Sequence, residues 1–316
     1  MISYERHNWT RQVFALNGTV LPRVIGRVAL VAFITLVLCI LKMASEPANR
    51  DSLRGLVSGW VSESAMDSLF TGIDEAEFSV PKLESIGHTV LGVALGMLMA
   101  FRSNAANTRY WEARGHWGML VNSTRNLVRV GHVWAGPADD LARLVSAYVL
   151  AIKQTLREDR ELEELAHYLP GRILDQVRAA GSPATCLSRH MEDWIRDKAT
   201  LGKIDTRTAM VMQQLVNVMV DQQGACEKIH KTPMPFIYAS LIKLSITLFV
   251  FTLPLVLVHT ASLAAPAIAA LVALVFLGVE EAAIEIEDPF GLDFNDLPLE
   301  QICATIARDV NQLAKG

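Results

Sequence analysis

The chain has 316 residues, of which 51% are hydrophobic and 20% charged, with a formal net charge of −4. So much apolar residue argues against a wholly soluble domain, and so many charges argue against a purely buried membrane bundle. The slightly acidic balance excludes a general nucleic-acid binder, and the four scattered cysteines (Cys39, Cys186, Cys226, Cys303) form no disulfide framework.

Residues 1–27 carry Arg6, Arg11, Arg23 and Arg27, and no small-residue cleavage pattern follows in the apolar stretch 28–44. That stretch is expected to be a retained span and not a cleaved signal. Segment 45–85 reads as an external loop. Its 45–80 part holds Glu46, Asp51, Glu63, Asp67, Asp74, Glu75 and Glu77 against Arg50 and Arg54. The second apolar stretch, "IGHTVLGVALGMLMAF" at 86–101, is short against the roughly 20 residues a span needs and must borrow from its flanks or neighbours. With 28–44 it makes the membrane region 28–101.

Residues 102–235 are polar, and "LARLVSAYVLAIKQTL" (141–156) and "MVMQQLVNVMVDQQ" (210–223) place apolar residues at three- and four-residue intervals. That spacing predicts a bundle of amphipathic helices. Apolar stretches 236–258 and 263–279 follow, separated by so few residues that they form a tight hairpin within 236–284. Lys243 inside the first of them must snorkel or line a polar cavity. The chain closes with 285–316. Arg102, Arg109, Arg114, Arg125 and Arg129 open the polar region, so the positive-inside bias puts the N-terminal segment, 102–235 and the C-terminal segment in the cytoplasm. The predicted fold is an all-α membrane protein with four transmembrane helices and a cytosolic helical bundle.

Val93, Met97 and Phe101 recur at four-residue spacing beside a small-residue stripe of Gly92, Gly96 and Ala100. Two readings stand: lipid contact with tight helix packing, or a pore-lining helix whose bulky stripe is an apolar constriction. Pore lining would need the helix to continue, and Arg102, Asn104 and Asn107 lie on that continuation. Elsewhere, Cys186/His190 and Cys226/His230 have a zinc-compatible i, i+4 spacing, but the pairs lie forty residues apart. Glu281 and Glu285 could bridge metals, yet no Glu-x-x-His partner completes a di-metal site. Asp293 and Asp296 are weak calcium candidates, short of the six to eight oxygens calcium takes, so no cofactor is expected. The chain has no P-loop, dinucleotide fingerprint, nucleophile elbow or zincin motif, and no enzymatic activity is expected.

"AFRSNAANTRYWEARGHWG" (100–118) resembles the bestrophin family of ion channels, its bacterial branch most closely. The resemblance rests on Phe101-Arg102-Ser103, on Arg109, Trp111, Glu112 and Arg114, and on Trp117-Gly118. "EDPFGLDFNDLPLE" (287–300), with Asp288, Pro289, Phe290 and Gly291, is similar to the family's acidic-P-F-G element. "KTPMPFIY" (231–238) and "NWTRQVFALNGTVLPRVIGRV" (8–28) are similar to family segments as well. The resemblance implies a homopentamer around one axial pore in a bacterial inner membrane, with Val93, Met97 and Phe101 as a hydrophobic neck. It also implies a second constriction at the cytosolic exit, where a gapless count back from Thr232-Pro233 places Arg207; a surface arginine at a helix start is the competing reading. Partners would be other copies of the chain, the lipid bilayer and small monovalent ions. Chloride or another anion is not separated from cations, because the acidic external segment and Arg207 pull in opposite directions. A non-conducting membrane scaffold or signalling protein is the alternative. Tyr110, Trp111 and Trp117 are expected to pack helices and subunits, with ring faces over guanidinium groups.

Overall fold

The computed structural model describes residues 15–75, 79–159 and 162–315; Arg6, Arg11 and Glu77 of the charge pattern lie outside them. Among the described residues there are eleven α-helices and no strand. In chain order they are α1 (Leu21–Ser45), α2 (Arg50–Val57), α3 (Glu63–Glu75), α4 (Ser85–Ala135), α5 (Asp139–Leu156) and α6 (Gly171–Ala179). Then follow α7 (Pro183–Thr200), α8 (Thr206–Lys231), α9 (Phe236–Thr260), α10 (Ala265–Glu287) and α11 (Leu299–Lys315). The chain divides into a membrane unit, 15–105 with 234–284, and a polar unit, 106–233 with 285–315.

Four helices are long and apolar enough to cross a membrane: α1, α4, α9 and α10 with the turn before it. Pro22 in the first turn of α1 starts that helix where an unpaired amide would otherwise sit. Val24, Val28 and Val31 of α1 then meet Leu95 and Met99 of α4, Ile242, Ile246 and Phe249 of α9, and Ala269, Ala273 and Leu277 of α10 in one core. The alanines let α10 approach closely. Gly92 does the same for α4, since a Cβ there would lie 3.1 Å from the Phe249 ring. His88, one turn earlier, stacks on that ring at 4.2 Å, and its Nε2 lies 3.1 Å from the Phe249 carbonyl.

Segment 45–85, expected to be a loop, is folded instead. Leu53 of α2 and Met66, Phe70 and Ile73 of α3 bury against Met43 and Ala44 at the end of α1. Arg50 binds Asp74 (Nη1 to Oδ2, 2.9 Å) and Arg54 binds Asp67, while both guanidinium groups lie over the Phe70 ring. The acidic count of the segment hid these pairings, because its few arginines fall opposite acids contributed by the next helix.

The polar unit is built around α5, which is buried on nearly all sides by apolar residues from Leu141 to Leu156. A helix covered on nearly all sides sits at the centre of its domain, and α7 and α11 pack directly on this one. Ser182 caps α7 through the Thr185 amide, and Asp205 caps α8 through the Thr208 amide at 2.8 Å. Where α4 enters this core, Gly131 makes room for its neighbours: a Cβ would sit 2.9 Å from Leu141 Cδ2. Gly136, at φ +83°, then ends the helix, its amide donating to the His132 carbonyl at 3.1 Å.

Candidate functional site

The 51 residues of α4 span about 75 Å at 1.5 Å per residue. One face of the helix is buried along that length, through Leu95, Met99, Arg102, Ala106, Tyr110, Ala113, Trp117, Leu120, Leu127 and Ala135. The face turned away from it carries Val93, Met97 and Phe101, which are 69%, 65% and 68% exposed in the isolated chain. Ile86 and Val90 extend this exposed apolar stripe toward the helix start, and the exposed Asn104 and Asn107 follow at its far end. The structure thus leaves the expected neck residues together on an uncovered helix face.

Arg102 departs from them. Successive helix residues are about 100° apart, so when Phe101 points outward its neighbour points into the core. Arg102 is 3% exposed, its Nε lies 3.7 Å from Glu280 Oε2 on α10, and its Nη1 lies 3.1 Å from Met234 Sδ. On the next residue of α10, Glu281 takes Arg27 of α1 at 2.7 Å. Glu281 and Glu285, weighed as metal ligands in the sequence, are engaged by protein side chains: Asn295 Nδ2 donates to Glu285 Oε1 at 2.8 Å.

Arg109 joins the three distant motifs. Its guanidinium donates to the carbonyls of Ile229 (2.8 Å) and Thr232 (2.6 Å) at the end of α8, and to that of Glu287 (3.2 Å) at the end of α10. Carbonyls in the last turn of a helix lack intrahelical donors and carry partial negative charge, so a cation there satisfies both needs. Thr232 and Glu287 lie at the start of the segments that resembled a known family, and both meet the "RYWEAR" segment at this side chain. The expected ring-over-guanidinium packing is not how Arg109 is held. Trp117 is fully buried in the polar core, whereas Trp111 is exposed. Glu112 is exposed, 3.8 Å from His116, and Arg114 is exposed beside Gly118. Arg207 is exposed in the first turn of α8.

Asp288, Pro289, Phe290 and Gly291 form a turn that anchors the chain after α10. Phe290 is fully buried, its amide lies 3.4 Å from Asp288 Oδ1, and the Pro289 carbonyl accepts the Leu297 amide at 2.9 Å. Arg157 donates through Nε to the Phe290 carbonyl at 3.3 Å and pairs with Glu300. Asp296 is buried behind the turn, and its Oδ2 accepts the Asp293 amide at 2.7 Å. Burial, with the charges of Asp293, Asp288 and Glu285 adding to it, pushes the Asp296 carboxyl up to about 6 against the lowering effect of that amide. Asp293 itself is exposed, and the two acids together supply fewer than the six to eight oxygens calcium takes. Among the described residues no three His, Cys, Asp or Glu side chains gather as metal ligands. The two Cys–His pairs do not combine into such a group; burial pushes the Cys226 thiol up to about 12, and His230 faces Glu158 at 3.6 Å.

Two features of this arrangement escaped the sequence reading, the Arg102–Glu280 pair and the Arg109 junction. The signal for the first was present as an arginine within an apolar helix and an acid near the end of another. Nothing local said that they meet.

Residues 1–312 match the model of a family described as bacterial and fungal bestrophin protein. A voltage-dependent anion channel-forming protein of Synechocystis is 34% identical over 247 residues, covering 75% of this chain and 79% of the relative. YneE of Salmonella typhi, named a voltage-dependent anion channel-forming protein, is 28% identical over 99% of this chain and 94% of its own. Among solved structures, a bacterial bestrophin homologue from Klebsiella pneumoniae superposes with a TM-score of 0.78 at 22% identity, over 93% of this chain and all of that one.

Proposed function

This chain belongs to the bacterial and fungal bestrophin family, and we propose that it is an ion channel, assembled as a homopentamer, that passes small monovalent anions through a bacterial inner membrane. The observation that carries the reading is the uncovered stripe of Val93, Met97 and Phe101 on a helix whose other face is buried throughout. Five copies of that stripe around one axis make a ring of apolar side chains, narrow enough to gate by expelling water. Asn104 and Asn107 continue the lining as polar groups, and Arg207 forms a second ring at the cytosolic exit, attracting anions and repelling cations.

One consideration favours anions: relatives 34% identical carry the name of anion channel-forming proteins. The test is a reversal potential in a potassium chloride gradient across a planar bilayer, with subunits counted by native mass spectrometry. The expected result is a pentamer whose reversal potential moves toward that of chloride, and less so in Arg207→Ala. A movement toward potassium would overturn the anion reading. An assembled protein without current would overturn the channel and favour the scaffold.

A further inference from the structure

Arg102 and Glu280 are ionised side-chain types in the interior of the membrane unit, with side chains 2% and 6% exposed and 3.7 Å apart. Burying two charges is costly unless they answer one another, and removing one partner costs more than removing both. A pair kept in such a place does something an apolar contact could not. Its position says what: Arg102 directly follows Phe101, the last residue of the exposed stripe, and points about 100° away from it.

Elsewhere in the membrane unit the buried face of α4 is held by Leu95 and Met99 and by His88, which stacks on Phe249. Apolar contacts such as those of Leu95 and Met99 have little direction and resist a small rotation of α4 weakly. The Arg102–Glu280 pair resists it more strongly, because a rotation that carries Arg102 toward the outer face separates two buried opposite charges. We infer that the Arg102–Glu280 pair is a positioning device, setting the rotational phase of α4 so that Phe101 closes the inner end of the neck. Neither side chain touches permeating ions; both act through Phe101. Glu281, on the same turn of α10, provides an internal control, because it binds the half-exposed Arg27 of α1 and leaves α4 alone.

The inference rests on the channel reading, and the test separates the two. Phe101→Cys is introduced into the full chain in lipid, and its reaction with a membrane-impermeant thiol reagent is followed by intact mass alongside single-channel recording. Labelling at Phe101→Cys is expected in the parent background, to be slowed at least about fivefold by Glu280→Gln or Arg102→Met, and to be unaffected by Glu281→Gln. Arg102→Lys, which keeps the charge, should restore most of the rate. In channels that retain Phe101, Glu280→Gln should change unit conductance or open probability by a similar factor. No labelling in the parent would place the stripe in lipid and overturn the channel reading itself. Equal rates in Glu280→Gln and Glu281→Gln would overturn the positioning role alone. Should the single variants fail to assemble, Arg102→Met with Glu280→Leu fills the space with apolar groups. An assembled double variant that still labels slowly supports the inference, and one labelling at the parental rate overturns it.

Discussion

Replacing Asp296 by asparagine should stabilise the polar unit, and most at the upper end of the pH range. The carboxyl is buried behind the Pro289–Gly291 turn and is raised from 3.8 to about 6, first by burial and then by the charges of Asp293, Asp288 and Glu285. Between those two values the folded chain holds a proton that the unfolded chain has lost. Stability contributed by the protonated group is therefore complete below about pH 4 and is lost as pH rises through about 6. At about 1.36 kcal/mol per pH unit the loss reaches about 3 kcal/mol at pH 8. Asparagine keeps the shape and offers its side-chain oxygen to the Asp293 amide, which now binds Asp296 Oδ2 at 2.7 Å, but carries no charge to desolvate. The assay is thermal unfolding of the purified full chain in detergent with a chelator present, at pH 4.5 and pH 8. At pH 4.5, where the unfolded chain has already lost most of this proton, the gap between the midpoints should be only about a third of that at pH 8. At pH 8 the variant should be higher by at most roughly 10 °C, from a few degrees per kcal/mol in a domain of this size. An equal or lower midpoint for the variant at pH 8 would refute the reasoning, because it would mean that the carboxylate is held charged by a partner. If added calcium instead raised the parent's midpoint at pH 8 and left the variant's unchanged, Asp296 would be a cation ligand.

Other consequences are as direct. Phe290→Ala removes a fully buried ring from the core that anchors the C-terminal segment, and should cost about 3–5 kcal/mol, read as an early unfolding transition of the polar unit. Met97→Asn should hydrate the neck and raise single-channel conductance, while Met99→Asn, buried two residues on, should instead lower the yield of folded protein; similar behaviour of the two would contradict the assigned faces of α4. Burial holds the Cys226 and Cys303 thiols up to about 12, so neither should react with a water-soluble thiol reagent at pH 8 in native protein. The partly exposed Cys186 should react first, and peptide mapping of the modified chain would show any other order.

Much of the architecture can be read from local pattern. A four-residue apolar repeat, an unbroken run without proline from Ser85 to Ala135, and arginines gathered beside the first two spans are properties of neighbouring residues. They determine the membrane helices, the continuity of α4 and the existence of its apolar stripe. What local pattern cannot supply is the choice between two similar stripes on the same helix. Val93, Met97 and Phe101 differ little in hydrophobicity from Leu95 and Met99, and only packing against α9 and α10 decides which set is covered. The same holds for the charges. Arg102 read as part of an ion path, until the fold brought it to Glu280 across 178 residues of sequence. Arg109 read as an aromatic partner, until the ends of α8 and α10 arrived with carbonyls in need of a donor. Periodicity is set by the helix itself and is visible in one dimension. The partner of a buried charge is set by which helices meet, and that is decided only in three.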